Sequence, residues 1–332
     1  MKNRQWLLAR RPKGSVSAED FQWTESEVPA PAEGEVLVRN LWLSVDPAQR
    51  GWIAGDTYLP AVKIGEVVRS FAVGQVVESK NPRFKPGQLV QGLFGWQDYA
   101  VTREATPLPQ GVPVETAMSA LGPTGMTAWF GLLEIGRPKP GETVVVSAAA
   151  GATGSAVGQI ARIKGCRAIG IAGGAEKCRW LLDDYGFDGA IDYKSEDVGK
   201  RLRELCPKGV DIFFDNVGGE ILDAALSNLA MRGRVVLCGA IARYNSGGGQ
   251  ATGPKNYLSL IVQRGRMEGF IILDFMHRAA EAIKDIAQWM KEGRFKDRVD
   301  VVQGLENAPA ALLRLFKGEN RGKQLVRIAE AA

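Results

Sequence analysis

The chain has 332 residues with 42 Lys and Arg against 37 Asp and Glu, a formal charge of +5. The two signs are interspersed, which argues against the basic stripe of a nucleic-acid binder. The opening M-K-N-R-Q-W-L-L-A-R-R is broken by charge and has no apolar run of signal-peptide length, so cytoplasmic residence is the expectation. Cys166, Cys178, Cys206 and Cys238 show no C-x-x-C spacing and are expected to be buried free thiols.

Length points to two domains. Residues 1–120 carry short apolar runs broken by Gly and Pro, among them Glu35 to Val45, Phe71 to Val77 and Gln88 to Phe94, which is an all-β pattern. Residues 121–293 alternate strand and helix signals. The strand candidates are Thr143 to Ala148, Arg167 to Ala172, Gly189 to Tyr193, Val210 to Asp215, Arg234 to Gly239 and Met267 to Leu273. These predict an α/β fold with a doubly wound parallel six-stranded sheet. A helix from about Arg278 to Lys291 would bury Ala279, Ala280, Ile283, Ile286, Ala287 and Met290. In residues 294–332, strands at Val299 to Val302 and Gln324 to Ile328 flank a helix at Ala308 to Lys317.

The stretch Thr143 to Gly158, T-V-V-V-S-A-A-A-G-A-T-G-S-A-V-G, organises the second region. A β-branched strand runs into G-x-x-G-x-x-x-G and then a helix, the arrangement that presents helix-start amides to a pyrophosphate. A side chain at Gly151 or Gly154 would obstruct that approach, and one at Gly158 would hold the helix off the sheet. No Gly-Lys-Ser or Gly-Lys-Thr closes the turn, so an ATPase-type phosphate loop is excluded. The 19 uncharged residues between Glu142 and Arg162 are too rich in Gly, Ala, Ser and Thr for a membrane span.

About twenty residues on, the acid that grips a ribose in NAD-binding folds is replaced by Gly173 and Gly174, with Lys177 and Arg179 just beyond. Glycines leave room for a 2′-phosphate and a lysine supplies its counter-charge, so NADP(H) is the expected cofactor. Glu176 is the one acid nearby. No zinc is expected: residues 1–120 contain no cysteine, and the sole histidine, His277, belongs to a surface or helix cap far along the chain. Hydride transfer without a metal calls for an acceptor that is already electrophilic, a conjugated carbonyl or a quinone, and a hydrogen-bond donor for the resulting enolate.

P-A-E-G-E-V-L-V-R (Pro31 to Arg39) and P-G-Q-L-V-Q-G (Pro86 to Gly92) resemble the medium-chain dehydrogenase/reductases, which join a GroES-like β domain to a Rossmann domain. L-S-V-D-P-A-Q-R-G (Leu43 to Gly51), I-G-E-V-V (Ile64 to Val68), L-G-P-T-G-M-T-A-W (Leu121 to Trp129), F-D-N-V-G-G (Phe214 to Gly219), C-G-A-I-A-R-Y-N (Cys238 to Asn245) and N-R-G-K (Asn320 to Lys323) are similar to the zinc-free subfamily of prostaglandin, 2-alkenal and curcumin reductases. The resemblance implies a GroES-like substrate domain at 1–120, a Rossmann NADP domain at 121–293 and a segment, 294–332, returning to the first. It implies a homodimer, small-molecule enone, enal or quinone substrates, and no nucleic-acid or membrane partner. By matching motif it gives the pyrophosphate to Gly151, Ala152, Thr153 and Gly154, and the 2′-phosphate end to Lys177, Tyr193 and Tyr244. The ribose goes to Asn216 and the adjoining rim to Cys238, Gly239, Ala240 and Ile241. The nicotinamide falls to Phe270, Ile271, Ile272, Asn320 and Thr127.

Tyr257 matches the tyrosine given the carbonyl-binding role, and a phenol can donate to an enolate while staying protonated. The alternative is a Tyr that only packs a helix on the sheet. Ala48 stands where many relatives have a substrate-facing tyrosine. Tyr58 is expected to supply part of the missing aromatic surface, and Arg50 to brace a loop or meet substrate. Pro123 and Thr124 depart from the usual M-P-G order, and S-G-G-G-Q-A-T-G-P, Ser246 to Pro254, reads as a lid or a disordered loop. The leading reading is NADPH-dependent reduction of a conjugated C=C bond. An NADPH:quinone oxidoreductase and a non-catalytic NADPH-binding protein are its rivals.

Overall fold

The computed structural model describes residues 2–245 and 253–331; most of the expected lid, residues 246–252, lies outside them. Two compact units form. The first takes the chain up to Met118, Tyr244 with Asn245, and everything from Val299 on; the second runs from Ser119 to Arg243 and resumes up to Arg298.

In the first unit β1 (Lys2–Leu8) and β2 (Phe21–Glu27) make an antiparallel pair in which Trp6 faces Trp23 edge to face, centroids 5.1 Å apart. β3 (Val36–Ser44) is buried along almost its whole length, as its near-continuous apolar sequence requires of a strand covered on both faces. It pairs with β4 (Ala72–Ser79), which continues to β5 (Leu89–Gly92), while β6 (Tyr99–Thr102) also pairs with β3 and β7 (Thr106–Pro107) with β5. Gly74 sits at an irregularity of the β3–β4 register, where a Cβ would come within 2.5 Å of Arg39 O. Only glycine allows that approach.

In the second unit β8 (Thr143–Ser147), β9 (Arg167–Ala172), β10 (Gly189–Asp192), β11 (Val210–Asp215), β12 (Leu229–Leu237) and β13 (Arg266–Gly269) form one parallel sheet in the order β10-β9-β8-β11-β12-β13. This is the doubly wound order whose central crevice lies at the carboxyl ends of β8 and β11. β14 (Val299–Gln303) and β15 (Lys323–Arg327) return to the first unit, where β15 pairs antiparallel with β3.

Two expectations change. The last Rossmann strand stops at Gly269 instead of running to Leu273, because its final pair is Leu237 with Gly269 and β12 ends there; the apolar run continues as a 3-10 helix, Ile272–Arg278, with Leu273 exposed. The helix Ala279–Lys291 buries Ala282, Ile286 and Trp289, an i, i+4, i+7 stripe, and leaves Ala280 in solvent. Ala279, Ile283 and Met290 of the expected face pack against the same core, and Trp289 widens it. His277 is exposed on the 3-10 helix.

Candidate active site

Just past β8, Ala148 is held at φ 49°, and the chain folds back so that Gly151 N–H donates to Ala148 O at 2.9 Å. Gly151 then caps the helix Ala152–Ile163. Ser155 is the first residue to bond back, to Gly151 O, so helix geometry leaves the amides of Ala152, Thr153 and Gly154 without an intrahelical acceptor. Those three donors, at the positive end of a twelve-residue helix, are an anion cradle. Gly154 is forced from inside as well: its Cβ would lie 2.4 Å from Ala148 O. Gly158 makes room for the Phe187 ring, 1.8 Å from a hypothetical Cβ, and not for the sheet itself.

The neighbouring rim is tied together by Ser147, which sequence reading missed. Its hydroxyl donates to Asp215 Oδ1 at 2.9 Å and accepts from Asn216 N–H at 2.8 Å, while Asn216 Nδ2 donates to Ser147 O at 2.8 Å. Asp215 also accepts from the amides of Val217 and Gly218. Burial pushes its carboxyl above the ordinary range against the pull of those donors. Cys238 and Gly239 N–H both donate to Asp215 O, and Ile241 N–H to Asn216 O. Asn216 and the segment Cys238, Gly239, Ala240, Ile241 thus share one edge, beside the cradle. A polar residue ending a buried strand, followed by its own turn, was the one sequence signal for Ser147.

At the end of β9, the Tyr193 ring stands within 3.0 Å of where a Gly173 Cβ would be. Gly174 takes φ 103° and donates to Asp192 Oδ1 at 2.7 Å. Burial raises the Asp192 carboxyl, but donors from Gly174, Lys194 and Ser195 outweigh it and hold the group below its usual value. This acid is committed to the turn. Lys177 lies half-buried in the first turn of the helix Ala175–Asp183, one residue past an exposed Glu176.

The remaining assignments scatter. Thr127 Oγ1 donates to Pro123 O within its own helix. The half-buried Phe270 packs its ring over Gly131 and edge-on to Phe214, and Ile272 joins the same core; Ile271 caps the 3-10 helix. Tyr257 is half-exposed in a turn pinned by Asn256 to Asp223 O and Ser227 Oγ, the later part of the helix Gly219–Ser227. The rim carrying Asn216 lies at that helix's other end. Tyr244 ends the short helix Ile241–Tyr244 that follows β12.

In the first unit Arg50 is buried and donates to Gly14 O at 2.7 Å; its Nε has no partner, and burial lowers its affinity for the proton. It braces the loop at Pro12 to Gly14. Ala48 begins the helix Gln49–Ala54, and Tyr58 is exposed, edge-on to Trp52. Asn320 Nδ2 closes its own turn onto Gly322 O. The buried Lys323 Nζ donates to Val45 O at 3.0 Å and pairs with Asp46 at 2.6 Å, fixing the start of the Asp46-Pro47-Ala48 turn. Among the described residues no three His, Cys, Asp or Glu side chains gather as metal ligands. No helix among them is long and apolar enough to cross a membrane.

Two family models match, described as the N-terminal domain of oxidoreductase (residues 4–109) and zinc-binding dehydrogenase (residues 152–292). The donors do not fit the second description: no cysteine precedes Cys166, and the one histidine is His277. The chain is 41% identical to the NADPH-dependent curcumin reductase of Escherichia coli, covering 99% of this chain and 97% of that one. It is 40% identical to a 2-alkenal reductase (NADP(+)-dependent) of Nicotiana tabacum over 89% of this chain and 88% of that one. The crystal structure of CurA in complex with NADPH from Vibrio vulnificus superposes with a TM-score of 0.94 at 43% identity, covering 98% and 99% of the two chains. The chain belongs to the medium-chain dehydrogenase/reductase superfamily. Its place there is in the subfamily of curcumin, 2-alkenal and prostaglandin reductases.

Proposed function

We propose that the protein reduces the C=C bond of α,β-unsaturated ketones or aldehydes with NADPH and without a metal. The observation that carries this reading is the parallel sheet's carboxyl edge: three helix-start amides with no acceptor in their own helix at one strand end, and at the next an acid-free Gly173–Gly174 corner flanked by Lys177 and Tyr193. Relatives named for NADPH and for conjugated carbonyl substrates support it. NADPH, when bound, supplies a hydride to the β-carbon of the substrate.

On this reading Ala152, Thr153 and Gly154 N–H hold the pyrophosphate, Asn216 the ribose, and Lys177 with Tyr193 the 2′-phosphate. A phenol donates to the carbonyl oxygen as charge develops there. Sequence matching gave that role to Tyr257, but its turn is anchored along the far part of the helix Gly219–Ser227. Tyr244 lies three residues past Ile241, whose amide donates to Asn216 O. We assign the donor role to Tyr244, with Tyr257 as the alternative.

The protein is further proposed to be a cytoplasmic homodimer. Its four free thiols suit a reducing compartment. β13 is the edge of its sheet and is self-complementary: in an antiparallel pair centred on Met267, Arg266 of each copy faces Glu268 of the other.

The test is a panel of alkenals, enones and quinones with NADPH or NADH, the products identified by mass. Saturated carbonyls formed with NADPH support the reading. Hydroquinones alone would make the protein a quinone oxidoreductase, and NADPH binding with no turnover a non-catalytic binder.

A further inference from the structure

One carboxyl of the second unit has a place beside the amide cradle and no cation to balance it. Asp297 lines a cavity of about 220 Å³ together with Ser119, Thr124, Lys296, Ser155 and Ala152, the first residue of the cradle helix. A space of that size keeps its carboxyl within about 10 Å of Ala152, inside the screening length of ordinary salt. The side-chain amide of Gln159, on the same helix, holds the segment in place: Nε2 donates to Lys296 O at 3.0 Å and Oε1 accepts from Lys296 N–H at 2.7 Å.

The donors to Asp297 are all neutral: the Ser119 hydroxyl and the amides of Ala120 and Arg298. The nearby cations face elsewhere. Lys296 is exposed, and Arg298 pairs with Asp184 at 2.8 Å while lying over the Trp180 ring. Tyr185 is bonded to Ser155, whose hydroxyl donates to Ala152 O at 3.3 Å. Burial pushes the Tyr185 phenol up, so it stays neutral while a carboxyl titrates. Burial also outweighs the three donors at Asp297 and raises its carboxyl above the ordinary range.

Resting on the assignment of the cradle amides to the cofactor's pyrophosphate, we propose that Asp297 takes up a proton when NADP(H) binds. An ionised carboxylate at this helix end opposes the phosphates that the amides attract. Protonation removes the opposition, so the cofactor prefers the protonated form and, by linkage, strengthens its hold on the proton.

Calorimetric titration with NADP+, which carries the same phosphates and withstands mild acid, tests this between about pH 5.5 and 8.5. Asp297→Asn keeps a carbonyl oxygen for the two amides and an NH2 for the Ser119 oxygen but loses the charge. At the alkaline end it should bind NADP+ about fivefold more tightly than wild type, a gain that a damaged fold would not give. The two proteins should converge toward acid. Buffers of different ionisation heat should show greater proton uptake by wild type than by the variant. Ser119→Ala, which removes a donor to the ionised form, should move the convergence to higher pH.

Equal affinities at every pH, or equal proton uptake by the two proteins, would overturn the proposal and leave the cofactor site standing. Failure of wild type and variant alike to bind NADP+ would remove the cofactor reading and this proposal with it.

Discussion

On the proposed reading Lys177 and Gly173 set the choice of cofactor, one by charge and the other by the room that Tyr193 takes up beside it. Lys177→Ala should lower the preference for NADPH over NADH about tenfold, since a half-exposed charge-assisted contact is screened by solvent; a ratio of kcat/KM values measures it, and an unchanged ratio moves the role to another residue. Tyr244→Phe should depress kcat with enones while leaving KM for NADPH nearly intact, whereas Tyr257→Phe should change neither. The reverse pattern would return the donor role to Tyr257. Burial pushes Cys166, Cys178 and Cys206 up to about 11 and Cys238 to about 12. Because the fold holds these protons above the unfolded thiol value, the buried Cys166 and Cys206 should be slower toward a disulfide reagent at mild alkaline pH than the half-buried Cys178 and Cys238, and stability should fall as pH rises from about 9 toward 11. Fast release of more than two equivalents from native protein would contradict the burial. The glycine turn was legible because its chemistry is local. Ser147 was not, since its role comes from meeting Asp215 and Asn216, 68 and 69 residues away.

The helix Ala152–Ile163 could be read from its strand, its turn and its glycines, but what each glycine accommodates could not. Gly158→Ala would drive a methyl into the Phe187 ring and should cost about 2 kcal/mol of stability by overpacking, seen as a lower denaturation midpoint. Phe187→Leu in the same chain should recover part of that loss, and simple additivity of the two changes would show that they do not touch. Strand positions were legible wherever both neighbours exist, as at Val144 to Val146, because burial on two faces imposes a continuous apolar run. At β13 the apolar run outlasts the partner strand, and composition cannot reveal where a neighbour ends. On the helix Ala279–Lys291 the expected stripe is widened by Trp289, whose side is set by what it packs on.

Across the molecule, strand and helix alternation was enough to give the doubly wound parallel sheet, and the family resemblance gave the return of the C-terminal segment to the first unit, while the pairing of β15 with β3 needed coordinates. If Arg266 and Glu268 pair between copies, Glu268→Arg should convert the dimer to monomer by setting like charges opposite each other. Adding Arg266→Glu should restore it, with light scattering reporting the mass. A dimer that survives the single change would place the interface elsewhere.

The claim beneath the whole reading is where the hydride goes, and that can be measured by supplying NADPH deuterated at its transferable position and mapping the label in the product of benzylideneacetone. The account predicts a saturated ketone with deuterium on the former β-carbon; an allylic alcohol carrying deuterium at the former carbonyl carbon would contradict it.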